Sequence, residues 1–207
     1  MKKFLRDSGL SWALLALFLV SLAGMIWSGW LDAAEEARRH AEAAPSLGQF
    51  LTGGDFLSPL FENWESEFLQ MAFYVVLTAM LFQRGSAESS DPDDPDRPND
   101  EAGPGIGGWL YAHSLGLTLA ALFVASFVLH GWGSWQMAIG DAARHGEAPH
   151  GFWAHLGTAG FWFESMQNWQ SEFLATLALV VLSIFLRHRG SPESKPVQAP
   201  HGQTGAG

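Results

Sequence analysis

The chain has 207 residues, 48% of them hydrophobic, 13% aromatic and only 15% charged, which is too apolar for an ordinary soluble domain of this size. Cysteine is absent, which excludes disulfides, thiol nucleophiles and Cys-based metal sites. The net charge of −10 is mostly local, because Glu88, Asp91, Asp93, Asp94, Asp96, Asp100 and Glu101 cluster around a single Arg97, and no basic patch supports nucleic-acid binding.

The first predicted element is the uncharged run Leu10 to Trp27, long enough as a helix to cross a bilayer of about 30 Å. Lys2, Lys3 and Arg6, followed by Ser21-Leu22-Ala23, imitate a cleavable secretory signal. The same helix type recurs in mid-chain, so an uncleaved anchor is expected. Residues 31–62 are too long for a simple turn. Ala33 to Ala44 is a good helix former throughout and is expected to continue the first span as far as Pro45. Ser58-Pro59 reads as the start of a second span running to about Gln83, with Ser as N-cap and Pro in the first turn. The stretch from Ser86 to Gly108, rich in Asp, Pro and Gly, is expected to be disordered. Its Gly103-x-Gly105-x-x-Gly108 follows no strand, so a dinucleotide-binding reading fails on context. A third span covers Leu115 to Leu129 with extensions on both sides, a second outer segment covers 136–167, and a fourth span ends near Arg187.

The halves repeat. Asn63-Trp64-Glu65-Ser66-Glu67-Phe68-Leu69 returns as Asn168-Trp169-Gln170-Ser171-Glu172-Phe173-Leu174, 105 positions later. Residues 27–89 align with residues 132–194 without a gap, and 25 of the 63 aligned pairs are identical. Each copy contains two spans, so both enter the membrane in the same direction, and a pseudo-two-fold axis along the membrane normal is expected. Lys2, Lys3, Arg6, Arg84, Arg97, Arg187, Arg189 and Lys195 fall on one side of this topology, with Arg38, Arg39 and Arg144 on the other. The positive-inside rule then makes both termini and the linker cytoplasmic. Trp27, Trp30, Trp64, Trp132, Trp135, Trp153, Trp162 and Trp169 form an interfacial belt on the outer side.

The duplicated motif is the candidate site. Asn63 and Glu67 share a helix face, as do Asn168 and Glu172, with Ser66 and Ser171 on the adjoining edge. Glu67 lies about 26 Å from Arg84 along a helix, and Glu172 about 23 Å from Arg187, so both carboxylates sit near the hydrocarbon boundary and need partners. Such a set serves as a clasp between helices, as a proton, cation or small-polar-ligand site, or as acid–base machinery. Glu62 and Glu65 become Gln167 and Gln170 in the second copy, so a required charge would rest on Glu67 and Glu172. His145, His150 and His155 recur every five residues, a spacing that does not share one helix face. They are weak metal candidates, and no cofactor is expected.

The start Phe4-Leu5-Arg6-Asp7-Ser8-Gly9-Leu10-Ser11, the Asn63–Gln70 motif and the terminator Arg84-Gly85-Ser86-Ala87-Glu88-Ser89 resemble a bacterial family of uncharacterised integral-membrane proteins, a domain of unknown function. The resemblance implies a multi-pass protein of the bacterial inner membrane and carries no activity with it.

The expected fold is an all-α membrane protein of four transmembrane helices, arranged as two parallel two-helix repeats with short extracytoplasmic helices. Repeat 1 spans residues 1–85, with helices at about 10–30 and 60–83; the linker is 86–108; repeat 2 spans 109–190, with helices at about 109–135 and 166–187; the tail is 191–207. The leading functional expectation is a non-enzymatic scaffold or accessory membrane subunit. The alternatives are a small channel or transporter for protons, cations or a small polar solute using Glu67 and Glu172, and a membrane-embedded enzyme. The lipid bilayer is the expected partner, with a second copy or another membrane protein as further candidates.

Overall fold

The computed structural model describes residues 7–94 and 100–205. Lys2, Lys3, Arg6, Asp96 and Arg97, which entered the charge arguments above, lie outside the described residues. Among the described residues the fold is all-α, with seven helices and no strand: α1 (Gly9–Arg39), α2 (Leu47–Thr52), α3 (Gly54–Met80), α4 (Gly105–Ala112), α5 (Ser114–His145), α6 (Phe152–His155) and α7 (Ala159–Phe185). The starts of α1 and α5, of α2 and α6, and of α3 and α7 each fall 105 residues apart, the interval of the sequence repeat.

Among the described residues three helices, rather than the four expected, are long and apolar enough to cross a membrane: α1, α5 and α7. The exception, α3, is 27 residues long, but Asp55, Glu62, Glu65 and Glu67 crowd its first half and dilute its hydropathy. It also begins earlier than Ser58-Pro59 suggested. The carbonyl of Gly53 accepts from the amides of both Phe56 and Leu57, so the helix is under way before Pro59 removes a donor. The first span stops at Arg39 instead of Pro45, where Ala41 takes a positive φ of 56°. Trp109 to Tyr111, expected to extend the third span, belong to the separate helix α4.

Burial runs opposite to that of a soluble protein. Leu10, Leu17 and Val20 on α1 are 75%, 65% and 71% exposed, whereas Glu65, Ser86 and Lys195 are at most 1% exposed. An apolar exterior over a polar, hydrogen-bonded interior suits a chain whose solvent is hydrocarbon, where every buried polar group must find its partner within the protein.

The described chain divides into two compact units. The first, residues 1–60 and 129–155, holds α1, α2, α6, the start of α3 and the end of α5. A capping box between Ser46 and Gln49 starts α2, whose Phe50 ring presses on Gly29 of α1. Backbone meets backbone where Gly133 of α5 faces Leu57 and Ser58 of α3: a Cβ at Gly133 would lie 2.5 Å from the Ser58 nitrogen. Two matching hydrogen bonds tie the outer loops, Trp30 Nε1 to the Pro45 carbonyl at 2.9 Å and Trp135 Nε1 to the His150 carbonyl at 2.8 Å. Both tryptophans and both carbonyls are repeat equivalents. The second unit, residues 61–128 and 156–207, contains most of α3, with α4, the first half of α5, α7 and the tail.

Candidate functional site

Within the second unit α3 and α7 run side by side in the same direction, since their cross-helix partners ascend together. The Asn168 side chain donates to Glu62, Trp169 Nε1 donates to a Glu65 carboxylate oxygen at 2.9 Å, and Gln70 donates to the Thr176 hydroxyl. Further along, the rings of Phe73 and Phe173 meet edge to face at 5.8 Å. Each hydrogen-bonded partner lies one residue from the position 105 residues away in sequence. Aromatic side chains close the surround: Trp169 meets Phe123 of α5 at 6.0 Å and Trp162 at 6.2 Å.

The six residues singled out from the sequence occupy different environments. Ser66 is buried and Ser171 exposed, and each hydroxyl donates at 2.8 Å to the carbonyl three residues earlier, Asn63 and Asn168 respectively. Asn168 is half-buried and faces α3, while Asn63 is exposed. Glu67 is exposed, Glu172 is half-buried, and the two carboxylates stand within electrostatic range of each other. The fully buried carboxylate is Glu65, and Glu62 shares the same seam. Sequence reasoning set both aside because the second copy replaces them by Gln. The overlooked signal is spacing, since Glu62, Glu65 and Leu69 at i, i+3 and i+7 lie along one stripe of α3.

The histidines do not converge. His155 is buried and its Nε2 pairs with the Ser134 hydroxyl at 2.9 Å, His145 Nδ1 meets the Asp141 carbonyl, and His150 is exposed. Among the described residues no three His, Asp or Glu side chains gather in a group suited to a metal ion. The seam between α3 and α7 therefore joins two carboxylates to an amide and an indole, and one amide to a hydroxyl, by hydrogen bonds between the helices.

These features define an all-α protein with three helices able to cross a membrane and a polar seam between two parallel helices. The chain belongs to the family described as a domain of unknown function (DUF6766), which matches residues 1–206. No curated protein and no solved structure matches it.

Proposed function

We propose that this protein is a non-enzymatic scaffold or accessory subunit of the bacterial inner membrane, in which the duplicated motif clasps α3 to α7. The observation that carries this reading is the set of hydrogen bonds between α3 and α7 at and beside the motif, Asn168 to Glu62, Trp169 to Glu65 and Gln70 to Thr176. In hydrocarbon such bonds join helices that gain nothing from burying apolar surface against each other.

The same seam lays α3 against a helix apolar enough to cross a membrane. The acids that dilute its hydropathy include Glu62 and Glu65, which are turned to α7, and α7 is itself apolar enough to cross. A parallel α3–α7 pair with partners about 105 residues apart supports two parallel repeats. Arg84, Arg187, Arg189 and Lys195 follow the ends of α3 and α7, while Arg38, Arg39 and Arg144 close α1 and α5, which supports cytoplasmic termini.

A channel or transporter is the competing reading, and the proximity of the Glu67 and Glu172 carboxylates is what favours it. Proton and cation flux into liposomes carrying the purified protein separates the two. The scaffold reading predicts flux equal to that of empty liposomes. Flux that disappears on Glu67→Gln with Glu172→Gln, while the protein stays folded, would overturn it.

A further inference from the structure

The chain leaves α3 and α7 through the same turn. In Arg84-Gly85-Ser86-Ala87-Glu88-Ser89 the Ser86 amide bonds the Gln83 carbonyl at 3.1 Å, the Glu88 amide bonds the Ser86 hydroxyl at 3.1 Å, and the Gln83 amide bonds the Ser89 hydroxyl at 2.9 Å. In Arg189-Gly190-Ser191-Pro192-Glu193-Ser194 the corresponding distances are 3.2, 3.2 and 2.9 Å, the last from the His188 amide to Ser194. Gly85 and Gly190 supply the left-handed residue each turn needs, with φ of 87° and 85°. Two glutamates thus leave equivalent turns in equivalent ways. The first turn is pinned to α7, where the Ser86 and Ser183 hydroxyls pair at 2.9 Å and the Ala87 amide donates to Ser183 at 3.2 Å.

Glu88 turns inward from this joint. Its Oε2 accepts from the Tyr74 hydroxyl at 2.7 Å, and its carboxyl lines a cleft of about 360 Å³ walled by Leu77, Leu81, Phe173 and Leu177. Its other oxygen, Oε1, is buried and has no donor among the described residues. The groups facing Glu88 are Tyr74 from α3 and Glu193 from the second turn.

Arg84 forms a forked pair with Asp93 at 2.7 and 3.1 Å. Arg187 donates to the carbonyls of Ser183, Ile184 and Ala199 while its Nε stays buried without a partner among the described residues, Lys195 donates to the carbonyls of Gly85, His201 and Gln203, and Arg189 on the second turn is exposed. Two neighbouring carboxyls raise the cost of ionising both, and a buried carboxylate oxygen without a donor is costly. One proton removes both penalties.

We propose that Glu88 and Glu193 form a proton-binding pair, with Glu88 donating through Oε1 to the Glu193 carboxylate while Tyr74 donates to Oε2. The proton comes from water, which the exposed Glu193 meets, and the pair then carries one negative charge instead of two. Burial, and after it the negative charge of Glu193, push the Glu88 carboxyl above the ordinary glutamate range, while the Tyr74 hydrogen bond opposes them. Loss of the proton places two like charges at the joint between the turns, so the joint responds to pH on the side where the basic residues gather. The pair lies apart from the motif and does not depend on the scaffold reading.

The test is a pH titration of the glutamate carboxyls in the full-length protein in nanodiscs, by infrared absorption or by NMR with carboxyl-labelled glutamate. A carboxyl signal that stays protonated above the ordinary glutamate range should vanish in Glu88→Gln while any signal from Glu65 or Glu172 stays in place. Glu193 is exposed, so Glu193→Gln tests the pair with little risk to folding, and it should move the remaining Glu88 titration down. A Glu88→Gln titration identical to that of the wild type would overturn the proposal, as would a Glu88 titration unmoved by Glu193→Gln.

Discussion

Replacing Trp169 by Phe keeps an aromatic ring against Phe123 and Trp162 but removes the indole N–H that reaches Glu65 at 2.9 Å. Glu65 is fully buried, so its carboxylate cannot recover that bond from bulk water. A hydrogen bond to a charged group contributes about 1.5–3 kcal/mol, and depriving a buried acceptor of its donor costs about 1–3 kcal/mol. Neutral polar contacts between membrane helices average only about 0.6 kcal/mol. Trp169→Phe is therefore expected to cost about 1–3 kcal/mol, or roughly 5- to 150-fold in the folding equilibrium. Part of that loss is ring area rather than hydrogen bond, and a double-mutant cycle with Glu65→Leu, which has no acceptor, removes it. Reversible unfolding of the purified protein in mixed micelles, followed by tryptophan fluorescence, supplies the four free energies. A coupling of about 0.5 kcal/mol or more supports the clasp. If the two costs add within about 0.3 kcal/mol, the hydrogen bond does not hold the helices together and the reasoning fails.

Gly133→Ala should destabilise by about 1–3 kcal/mol, because its new methyl meets the Leu57 and Ser58 backbone, which has no rotamer to yield. Gly140→Ala on the same helix meets nothing within 4 Å and should be neutral or stabilising by up to about 1 kcal/mol in the same micelle assay. Lys195→Met should release the tail from the carbonyls of Gly85, His201 and Gln203, seen as faster hydrogen exchange over residues 196–205 with little change at Trp169. The pH prediction follows from linkage. A carboxyl titrating higher in the folded state than in the unfolded one contributes stability that is complete below the unfolded value of about 4.3 and is lost as pH rises through the folded value. Wild-type stability should therefore fall from mildly acidic pH upward, and Glu88→Gln should flatten that slope. Tyr74→Phe removes the bond that favours the ionised form and should shift the fall to higher pH.

Much of the fold could be read from the chain because its strongest signals are periodic. Apolar runs gave α1, α5 and α7, and the repeat interval matches the spacing of the helix starts. Helix α3 was placed from the Ser58-Pro59 cap and the motif rather than from hydropathy, which is why its start and its apolar extent came out differently. The motif located the α3–α7 seam but pointed to Glu67 and Glu172, on the assumption that residues kept in both copies do the work. The hydrogen bonds across the seam also use positions at which the two copies differ. Equal acids on both sides would repel, so Glu62 and Glu65 on one helix meet the donors Asn168 and Trp169 on the other, while Gln167 and Gln170 spare the second copy the charge. The turns after α3 and α7 looked like polar linker by composition. Their structure depends on pairings such as Ser86 with Ser183, 97 residues apart, which no local pattern reveals.

The central claim is that α3 and α7 are parallel partners within the membrane. Because the chain has no cysteine, a pair introduced as Phe73→Cys and Phe173→Cys reports on that contact alone. Oxidised in native membranes, the pair is predicted to form a disulfide within one chain, while Phe73→Cys combined with the exposed Leu186→Cys, about 20 Å beyond Phe173 along α7, stays reduced. Failure of the first pair to crosslink, with both thiols reactive toward a membrane-permeant maleimide, would contradict the account.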